Sequence, residues 1–569
     1  MFIKLTRSGP RRYVQLVESY RDESGRTKQR TVASLGRLES LEPHLESLVR
    51  GLERVTGRQL TRARSPAAQA SPAIEFAPTR TLGDVWALTE LWRELGFEQL
   101  GKLCRSQRQR IDIEPLIRIM VFNRLCDPDS KLGVLRWLET VCLPGVSSQG
   151  VTHQQLLRAM DGLNAHREAL DELLASLLRP LIDQTLSVVF YDLTTISTEG
   201  LSEQADEVRR YGKSKSGGIR RQFMLGVVQT ADGLPLYHEV FQGNVAEGST
   251  LRASLDKVLE RYPIERVIAV ADRGLMSLDN LAELQAMVTP SGKPLEFILA
   301  VPGRRYPAFA ALLSTFHQDQ CQGASEEVIG ELSWQGLRLV VAHDPYAAAQ
   351  RTGARNEAIA TLEAQAREWV EKLEGQDDGQ RYRGRKLSDG GARARFYHEV
   401  LEAKLGHIIR VDLKSELFNY TIDADARALA ELMDGKLLLV TNTPALSPAE
   451  VVSRYKALAD IERGFRVLKS QLELGPVYHR LAERIRAHAC ICFIALILYR
   501  VMRQRLRAAN SGYSPERALA SLERVQHHRI KLNAHEHTGI STITPEQAGL
   551  FKSLKVSKPT TTATQLQLL

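Results

Sequence analysis

The stretch Leu186-Ser187-Val188-Val189-Phe190-Tyr191-Asp192 decides the fold class, because it is a short apolar run that ends on a carboxylate. Its length and its β-branched and aromatic residues predict a buried strand. A second run of this kind, Val267 to Ala271, is followed directly by Asp272. A carboxylate at the end of a buried strand costs free energy unless a partner pairs with it. The two runs therefore predict strand-end acids that share a site.

A third acid, Glu462, lies in a segment with helical spacing. A continuous helix is predicted from Pro448 past Lys469. At about 100° per residue, seven residues turn the helix to within about 20° of two full turns. Tyr455, Glu462 and Lys469 are therefore predicted to form one stripe, with Arg466 on the same face. Alone, this stripe could be a solvated surface, but together with the two strand-end aspartates it favours a metal site.

The three acids predict two bound Mg²⁺ ions, with Mn²⁺ as a substitute. Hard divalent cations take oxygen ligands and keep several waters, so three carboxylates suffice. Such ions would activate an attacking oxygen and stabilise the leaving one in phosphodiester chemistry. Arg466 and Lys469 would hold DNA phosphates beside the ions, and Tyr455 would donate a hydrogen bond to a phosphate.

The bulk composition favours an anionic partner. The chain has 569 residues, a formal net charge of +9 and a pI of about 9.2, which favours nucleic acid before a membrane surface. The longest apolar run, Ala489 to Tyr499, is too short to span a bilayer and predicts a buried helix. Six cysteines without a CxxC pair, and no signal peptide, predict a reduced, cytoplasmic protein.

The order of predicted elements favours an α/β fold. After the strand at 186–192 come a hairpin over 223–241, a helix over 251–262 and a strand over 267–271, which is the order of a ribonuclease H-like core. The predicted organisation is a basic β-rich element at 1–60, a linker at 61–80, a helical, DNA-binding region at 81–182, core parts at 183–304 and 431–510, an inserted domain at 305–430, and a C-terminal helical region with a disordered tail at 511–569.

Basic residues concentrate in two places. The first forty residues hold nine Lys/Arg against four acids, a net charge of +5. A Gly/Ser-rich loop after Asp192 carries Arg210, Lys213 and Lys215. Both segments suit a DNA backbone, although solvated strands and loops are also commonly basic.

On these residues the chain resembles the DDE insertion-sequence transposases marked by a Tyr-x2-Arg-x3-Glu-x6-Lys signature. Tyr455, Glu462 and Lys469 fit that spacing, whereas Leu458 stands at the arginine position, and Arg466 is a candidate replacement. The three acids are 80 and 190 residues apart, which leaves room for an insertion.

The resemblance has further implications for the fold and for DNA contacts. It implies a ribonuclease H-like core and a mixed, β-rich insertion at 305–430, in which the sequence also predicts a charged helix at about 356–374. Arg273, beside the second acid, becomes a candidate DNA contact. Trp334, in the insertion, becomes a candidate for stacking on a flipped base, with a core role as the alternative.

The function implied is that of a bacterial transposase that cuts transposon ends and joins the free 3′-OH to target DNA. Two ends must be brought together, so a homodimer on double-stranded DNA at the nucleoid is expected. One rival is a ribonuclease H-like nuclease that only hydrolyses, which a strand-transfer assay separates. Another is a non-catalytic DNA-binding protein derived from a transposase, against which the three intact acids argue.

Overall fold

The structure is a computed structural model of the chain. The residues that it describes are 1–23, 26–41, 44, 47, 74–103, 112–147, 150–182, 186–200, 207–214, 217–246, 250–271, 278–379, 386–458, 466–532 and 535–560.

Two compact units divide the chain: Met1–Glu75 with Lys531–His535, and Phe76–Ile530 with Glu536–Leu569. The strands are β1 Phe2–Ser8, β2 Arg11–Arg21, β3 Thr27–Arg37, β4 Ile74–Phe76, β5 Arg80–Thr81, β6 Leu186–Ser197, β7 Arg210–Lys213, β8 Ile219–Thr230, β9 Pro235–Gln242, β10 Arg266–Ala271, β11 Glu296–Ala300, β12 Val328–Trp334, β13 Leu337–His343, β14 Ile409–Val411, β15 Tyr420–Ile422, β16 Lys436–Thr441, β17 Gln526–Leu532 and β18 His535–Ile540.

The helices follow the apolar periodicity of the sequence. They are α1 Leu38–Leu41, α2 Gly83–Glu94, α3 Leu100–Leu103, α4 Glu114–Cys126, α5 Lys131–Thr140, α6 His153–Ala165, α7 Arg167–Leu178, α8 Leu251–Arg261, α9 Leu278–Ala286, α10 Ala310–Phe316, α11 Pro345–Asp377, α12 Asp389–Glu402, α13 Ala424–Met433, α14 Pro448–Lys456, α15 Ala482–Ala508, α16 Pro515–Leu522 and α17 Pro545–Ser553.

A mixed sheet organises the second unit, in the order β12-β13-β16-β11-β10-β6-β8-β7, with β9 on β8. Strands β6, β10 and β11 run parallel, because α8 and α9 provide the crossovers that parallel strands need. Strands β8 and β9 form the predicted hairpin, whose turn contains Gly233 at φ +78°, a conformation that favours glycine. The predicted mixed α/β fold is confirmed, and the order β9-β8-β6-β10-β11 is consistent with a ribonuclease H-like core.

The two faces of this sheet pack on different helices. Val189, Tyr191 and Leu193 of β6 join a large core with the helices of 83–178 and with α15. Val188 and Phe190, on the opposite face, join a smaller core that includes residues of α14. Because side chains alternate along a strand, the sheet separates a helical layer from the layer that carries α14.

The inserted region differs from the β-rich domain that the resemblance implied. Strands β12 and β13 extend the main sheet beside β16, and the rest is mostly helical. The 33-residue α11 packs with α12 around its own apolar core, and only the short β14–β15 ribbon adds strand. The prediction of a β-rich insertion was wrong. The charged helix predicted at 356–374 is part of the longer α11, whose Ala-, Glu- and Arg-rich sequence favours helix.

The remaining elements lie in the N-terminal, helical and C-terminal regions. Strands β1 to β3 form an antiparallel sheet in the first unit, and the sequence reading missed β1. The helices predicted for 81–182 are present. The C-terminal region is not only helical, since β17 and β18 lie between α16 and α17 and β17 pairs with β5. Residues 48–73 and 561–569, which include most of the predicted linker and the end of the tail, lie outside the described residues.

Helix α15 is the central element of the large core. It is the one helix in the described ranges that is long and apolar enough to cross a membrane by length and composition, yet 94% of its most apolar window is buried by protein. This burial agrees with the predicted core helix around Ala489 to Tyr499. His238 of β9 stacks on Phe493 of this helix, with ring centroids 4.4 Å apart.

The buried His238 ring predicts acid sensitivity. Burial, helped by the nearby Arg167 charge, lowers the pKa of His238 to about 3, whereas an unfolded histidine has a pKa of about 6.5. Between about pH 6.5 and pH 3, only the unfolded state gains the proton. The stability contribution of the neutral ring is therefore complete above pH 6.5 and falls by up to about 1.4 kcal/mol per pH unit toward pH 3. Urea unfolding measured from pH 7 to pH 4 should show a shallower pH slope for His238→Leu.

The exposed His398 provides the matched control, since its side chain is 71% accessible. His398→Leu should leave the pH slope of the unfolding free energy unchanged. Equal slopes for wild type and His238→Leu would contradict the assignment.

Candidate active site

Asp192 lies within a strand, not at its end. Strand β6 continues to Ser197, and Asp192 is opposite Val227 of the antiparallel β8. The predicted strand end was wrong because Leu193 to Ile196 keep strand propensity and pair with β8. Among the described residues, the last pair of β6 with the parallel strand β10 is Tyr191 opposite Ala271. Asp192 therefore follows the last described parallel pair.

The environment of Asp192 suits a carboxylate that holds a ligand. The residue is half-buried, and its Oδ1 accepts a hydrogen bond of 2.7 Å from the Leu193 N–H. Strand alternation places Asp192 on the same face as Val188 and Phe190. That face carries α14, whose Val451 and Val452 belong to the same apolar core as Val188 and Phe190.

Helix α14 leads toward the third acid. Tyr455 is half-buried against the smaller core, and Leu458, just beyond the helix, is buried in that core. The position at which the signature has arginine therefore faces the sheet in this chain. An exposed phosphate contact cannot come from this side chain.

The predicted continuous helix from Pro448 past Lys469 is irregular in its described part, in which Leu458 and Arg466 are also helical. Helix α14 ends at Lys456, and residues Val467–Gln471 form a π-helix. A π-helix turns less per residue than an α-helix, so the α-helical phase that placed Lys469 on a stripe does not hold there. Arg466 and Lys469 are both exposed, as DNA contacts must be.

Several predicted site residues lie outside the described part of the chain. They are Asp272, Glu462, Arg273 and Lys215. Their flanks are described: Ala271 is the last described residue of β10, and Leu458 and Arg466, on either side of residues 459–465, are helical. Their roles stay predictions.

The chain beyond the third acid returns to the end of β6. Val477 forms a parallel bridge with Thr198, and its N–H donates to the Ser197 carbonyl at 3.1 Å. A cleft of about 670 Å³ opens beside this bridge. Its basic and imidazole side chains include Arg124, Lys131, His479, Arg480 and Arg484. A cationic cleft thus lies next to the strand that carries Asp192.

Strand β7 forms a basic edge on the other side of β6. Arg210 and Lys213 are exposed, and Lys213 is opposite Ile219 of β8, which is also exposed. Two cationic side chains on an open sheet edge suit a phosphate backbone.

A buried ion-pair network behind this edge was missed by the sequence reading. Arg209 Nε and Nη2 each donate to Glu207 at 2.7 Å, and Arg221 Nη2 donates to the same carboxylate at 3.1 Å. The Arg209 side chain is fully buried. Burial would raise the pKa of Glu207, but the hydrogen bonds from Arg209 and the charges of Arg209 and Arg221 bring it below its ordinary value. No sequence pattern distinguishes Arg209 from the exposed Arg210.

Trp334 ends β12 at the tip of the β12–β13 hairpin. It is half-buried and packs on Phe309, with ring centroids 5.2 Å apart. This packing favours the core alternative, and base stacking by Trp334 stays a prediction.

A second set of possible metal ligands lies at the outer part of the sheet. The ligating atoms of His317, Cys321 and His343 are within 4.8 Å of one another. Asp192 is not part of this group.

Comparison with known proteins gives the family. A transposase DDE domain model matches residues 183–498, more than half of the chain, so the chain belongs to the DDE transposase family. The N-terminal domain model of the IS1634 family of transposases matches residues 3–66, and the two matches together describe a DNA transposase of an insertion sequence. The domain implies dependence on a divalent metal.

Solved structures give weaker likenesses. The piggyBac transposase synaptic complex with hairpin DNA is 7% identical, with 78% of this chain and 77% of that chain covered and a TM-score of 0.37. The Drosophila P element transposase strand transfer complex is 11% identical, with 73% and 97% covered and a TM-score of 0.23. No curated protein matches the sequence.

Proposed function

We propose that Asp192, Asp272 and Glu462 form the catalytic site for both end cleavage and strand transfer. The observation that carries the proposal is the register of β6 and β10. Among the described residues, Tyr191 and Ala271 are the last parallel pair, and each is followed in sequence by one of the acids. The helix that precedes Glu462 packs on the face of the sheet to which Asp192 belongs.

The donor set fits hard divalent cations. All three groups are carboxylates, and Asp192 is only half-buried, so its oxygens can reach a ligand without a large desolvation cost. Asp192, Asp272 and Glu462 would hold two Mg²⁺ ions, with Mn²⁺ as a substitute. When bound, these ions supply charge stabilisation to the attacking and leaving oxygens of a phosphodiester.

The reaction consists of two displacements at phosphorus. Water first attacks the phosphodiester at the transposon end, and the bond to the 3′ oxygen breaks to leave a 3′-OH. That hydroxyl then attacks a target phosphodiester, forms the joint and releases a target 3′-OH. The protein contributes orientation, because both reactions need the attacking and leaving oxygens in line.

Basic surfaces on both sides of β6 support a path for the DNA. Arg210 and Lys213 lie on the β7 edge, and Arg466 and Lys469 are exposed beyond the third acid. These side chains would bind phosphates, with Tyr455, Arg273 and Lys215 as further contacts. Arg466 would take the place of the signature arginine, since Leu458 is buried. A homodimer would bring two transposon ends together in the cytoplasm, at the nucleoid.

A strand-transfer assay tests the two-step reaction. Pre-cut duplexes taken from the DNA that flanks the gene, with a free 3′-OH, are incubated with target plasmid, Mg²⁺ and the protein. We expect covalent end–target joints, and none from matched duplexes that end in a 3′-deoxy nucleotide. Hydrolysis of uncut ends without any joints would favour the nuclease alternative. DNA binding without either product would favour the non-catalytic one.

A further inference from the structure

The group of His317, Cys321 and His343 is buried where the inserted region leaves the sheet. His343 is the last residue of β13, and α11 begins two residues later. His317 and Cys321 are on a π-helix that directly follows α10. Cys321 and His343 are each 4% exposed, and His317 is half-buried. Three side chains of metal-ligand type, two from the π-helix and one from β13, therefore meet in a largely buried place.

One ligand atom is buried without a partner. Among the residues that the structure describes, His343 Nδ1 has no hydrogen-bond partner. Leaving a buried polar atom without a hydrogen bond costs about 1–3 kcal/mol, so such an atom needs an explanation. The His343 ring has a hydrogen bond with the Asp434 backbone, and Nδ1 is its nitrogen without a described partner.

The three ligand atoms lie near enough to one another to be compared with a tetrahedral zinc site. Zn²⁺ bonds to imidazole nitrogen and thiolate sulfur are about 2.0–2.3 Å long, which puts ligand atoms about 3.5 Å apart. The three atoms here all lie within 4.8 Å of one another, so no pair has to approach by more than about 1.3 Å. A backbone hydrogen bond to His343 is also the kind of outer-shell contact that orients a metal-bound imidazole.

The group is separate from the proposed catalytic site. Strand β13 is four strands from β6 in the sheet order β13-β16-β11-β10-β6. At about 4.8 Å per strand, this separation is roughly 19 Å. Mixed imidazole and thiolate ligands also select a softer cation than the carboxylates of the catalytic acids do.

We propose that His317, Cys321 and His343 bind one Zn²⁺ ion that fastens the π-helical turn to the end of β13. The ion would fix the point at which α11 leaves the sheet. Three protein ligands leave a fourth position for water or for the amine of Lys436, whose Nζ lies 3.2 Å from His317 Nδ1. Burial raises the pKa of the Cys321 thiol, and a coordinating thiol is deprotonated by the metal.

The zinc site is tested by titrating chelator-treated, full-length protein with Zn²⁺ alone. All titrations use the Asp192→Ala background, which weakens any binding of zinc by the catalytic acids. We expect one tightly bound zinc per chain. Cys321→Ser should weaken binding by more than the roughly 10–100-fold that losing an outer-shell partner costs. Cys142→Ser, at another free and partly exposed cysteine, should bind zinc as its parent does.

The absorption spectrum of bound Co²⁺ gives a second measurement. Cobalt bound to the parent protein should show a near-ultraviolet thiolate charge-transfer band, and Cys321→Ser should lack it. If Cys321→Ser does not fold, His317→Gln at the half-buried position replaces it in the zinc titration. Absence of the thiolate band from the parent protein, or equal zinc affinity in the parent and its site variants, would overturn the proposal.

Discussion

Asp192→Ala is expected to reduce strand cleavage in Mg²⁺ by roughly 10³-fold or more, as removal of a central catalytic group commonly does. The carboxylate follows the last described pair of β6 with β10 and is half-buried. Its loss removes oxygen ligands from the ions but leaves the basic surfaces intact. Affinity for transposon-end DNA, measured by fluorescence anisotropy in Ca²⁺, should therefore stay within about twofold. Asp272→Ala and Glu462→Ala should behave in the same way.

Asp232 is the matched control for this substitution. It is exposed in the β8–β9 turn of the same sheet. Asp232→Ala therefore makes the same chemical change at a surface position outside the proposed catalytic site. Its cleavage rate should equal that of wild type. Normal nicking by Asp192→Ala would refute the assignment of this acid, and parallel loss of DNA binding would indicate a folding defect instead.

Arg209→Met is expected to lower the free energy of unfolding by about 3–5 kcal/mol, the usual cost of removing one partner from a buried ion pair. The substitution keeps an apolar chain of similar length but leaves the Glu207 carboxylate, 4% exposed, with Arg221 as its described cationic partner. The double variant Glu207→Gln/Arg209→Met removes that buried charge and should recover much of the loss. Urea unfolding followed by tryptophan fluorescence and circular dichroism measures both effects.

Arg210→Met is the control, because Arg210 is the next residue but is exposed on β7. Its unfolding free energy should stay within about 0.5 kcal/mol of wild type, as for most surface substitutions. Its affinity for DNA should fall, since a phosphate contact is lost. Equal stability losses for Arg209→Met and Arg210→Met would contradict the structural role of the buried pair.

Much of the core was predictable because its signals are local. The apolar runs of β6, β10 and β16 and the turn of the β8–β9 hairpin each lie within a dozen residues, where periodicity and turn chemistry decide the structure. The insertion was less predictable. Its helical character is local in α11, but the addition of β12 and β13 to the main sheet depends on pairing with β16, about a hundred residues later.

The candidate site also has residues that the sequence predicts and features that depend on packing. Asp192, Asp272 and Glu462 could be selected from the sequence, because acids beside buried runs are visible there. The sequence could not show that Leu458 faces the sheet, nor that residues Val467–Gln471 form a π-helix, since both depend on packing. The assumption of one regular helix failed at that point.

The sequence by itself determined the family of the chain, the order of the core elements, the candidate catalytic acids and the net positive charge of the protein. These properties are set by residue types and short-range spacing. Only the tertiary structure placed Asp192 on the face that carries α14, buried Arg209 against Glu207, and gathered His317, Cys321 and His343. Such juxtapositions join residues far apart in the chain, so burial and pairing across the whole sheet decide them.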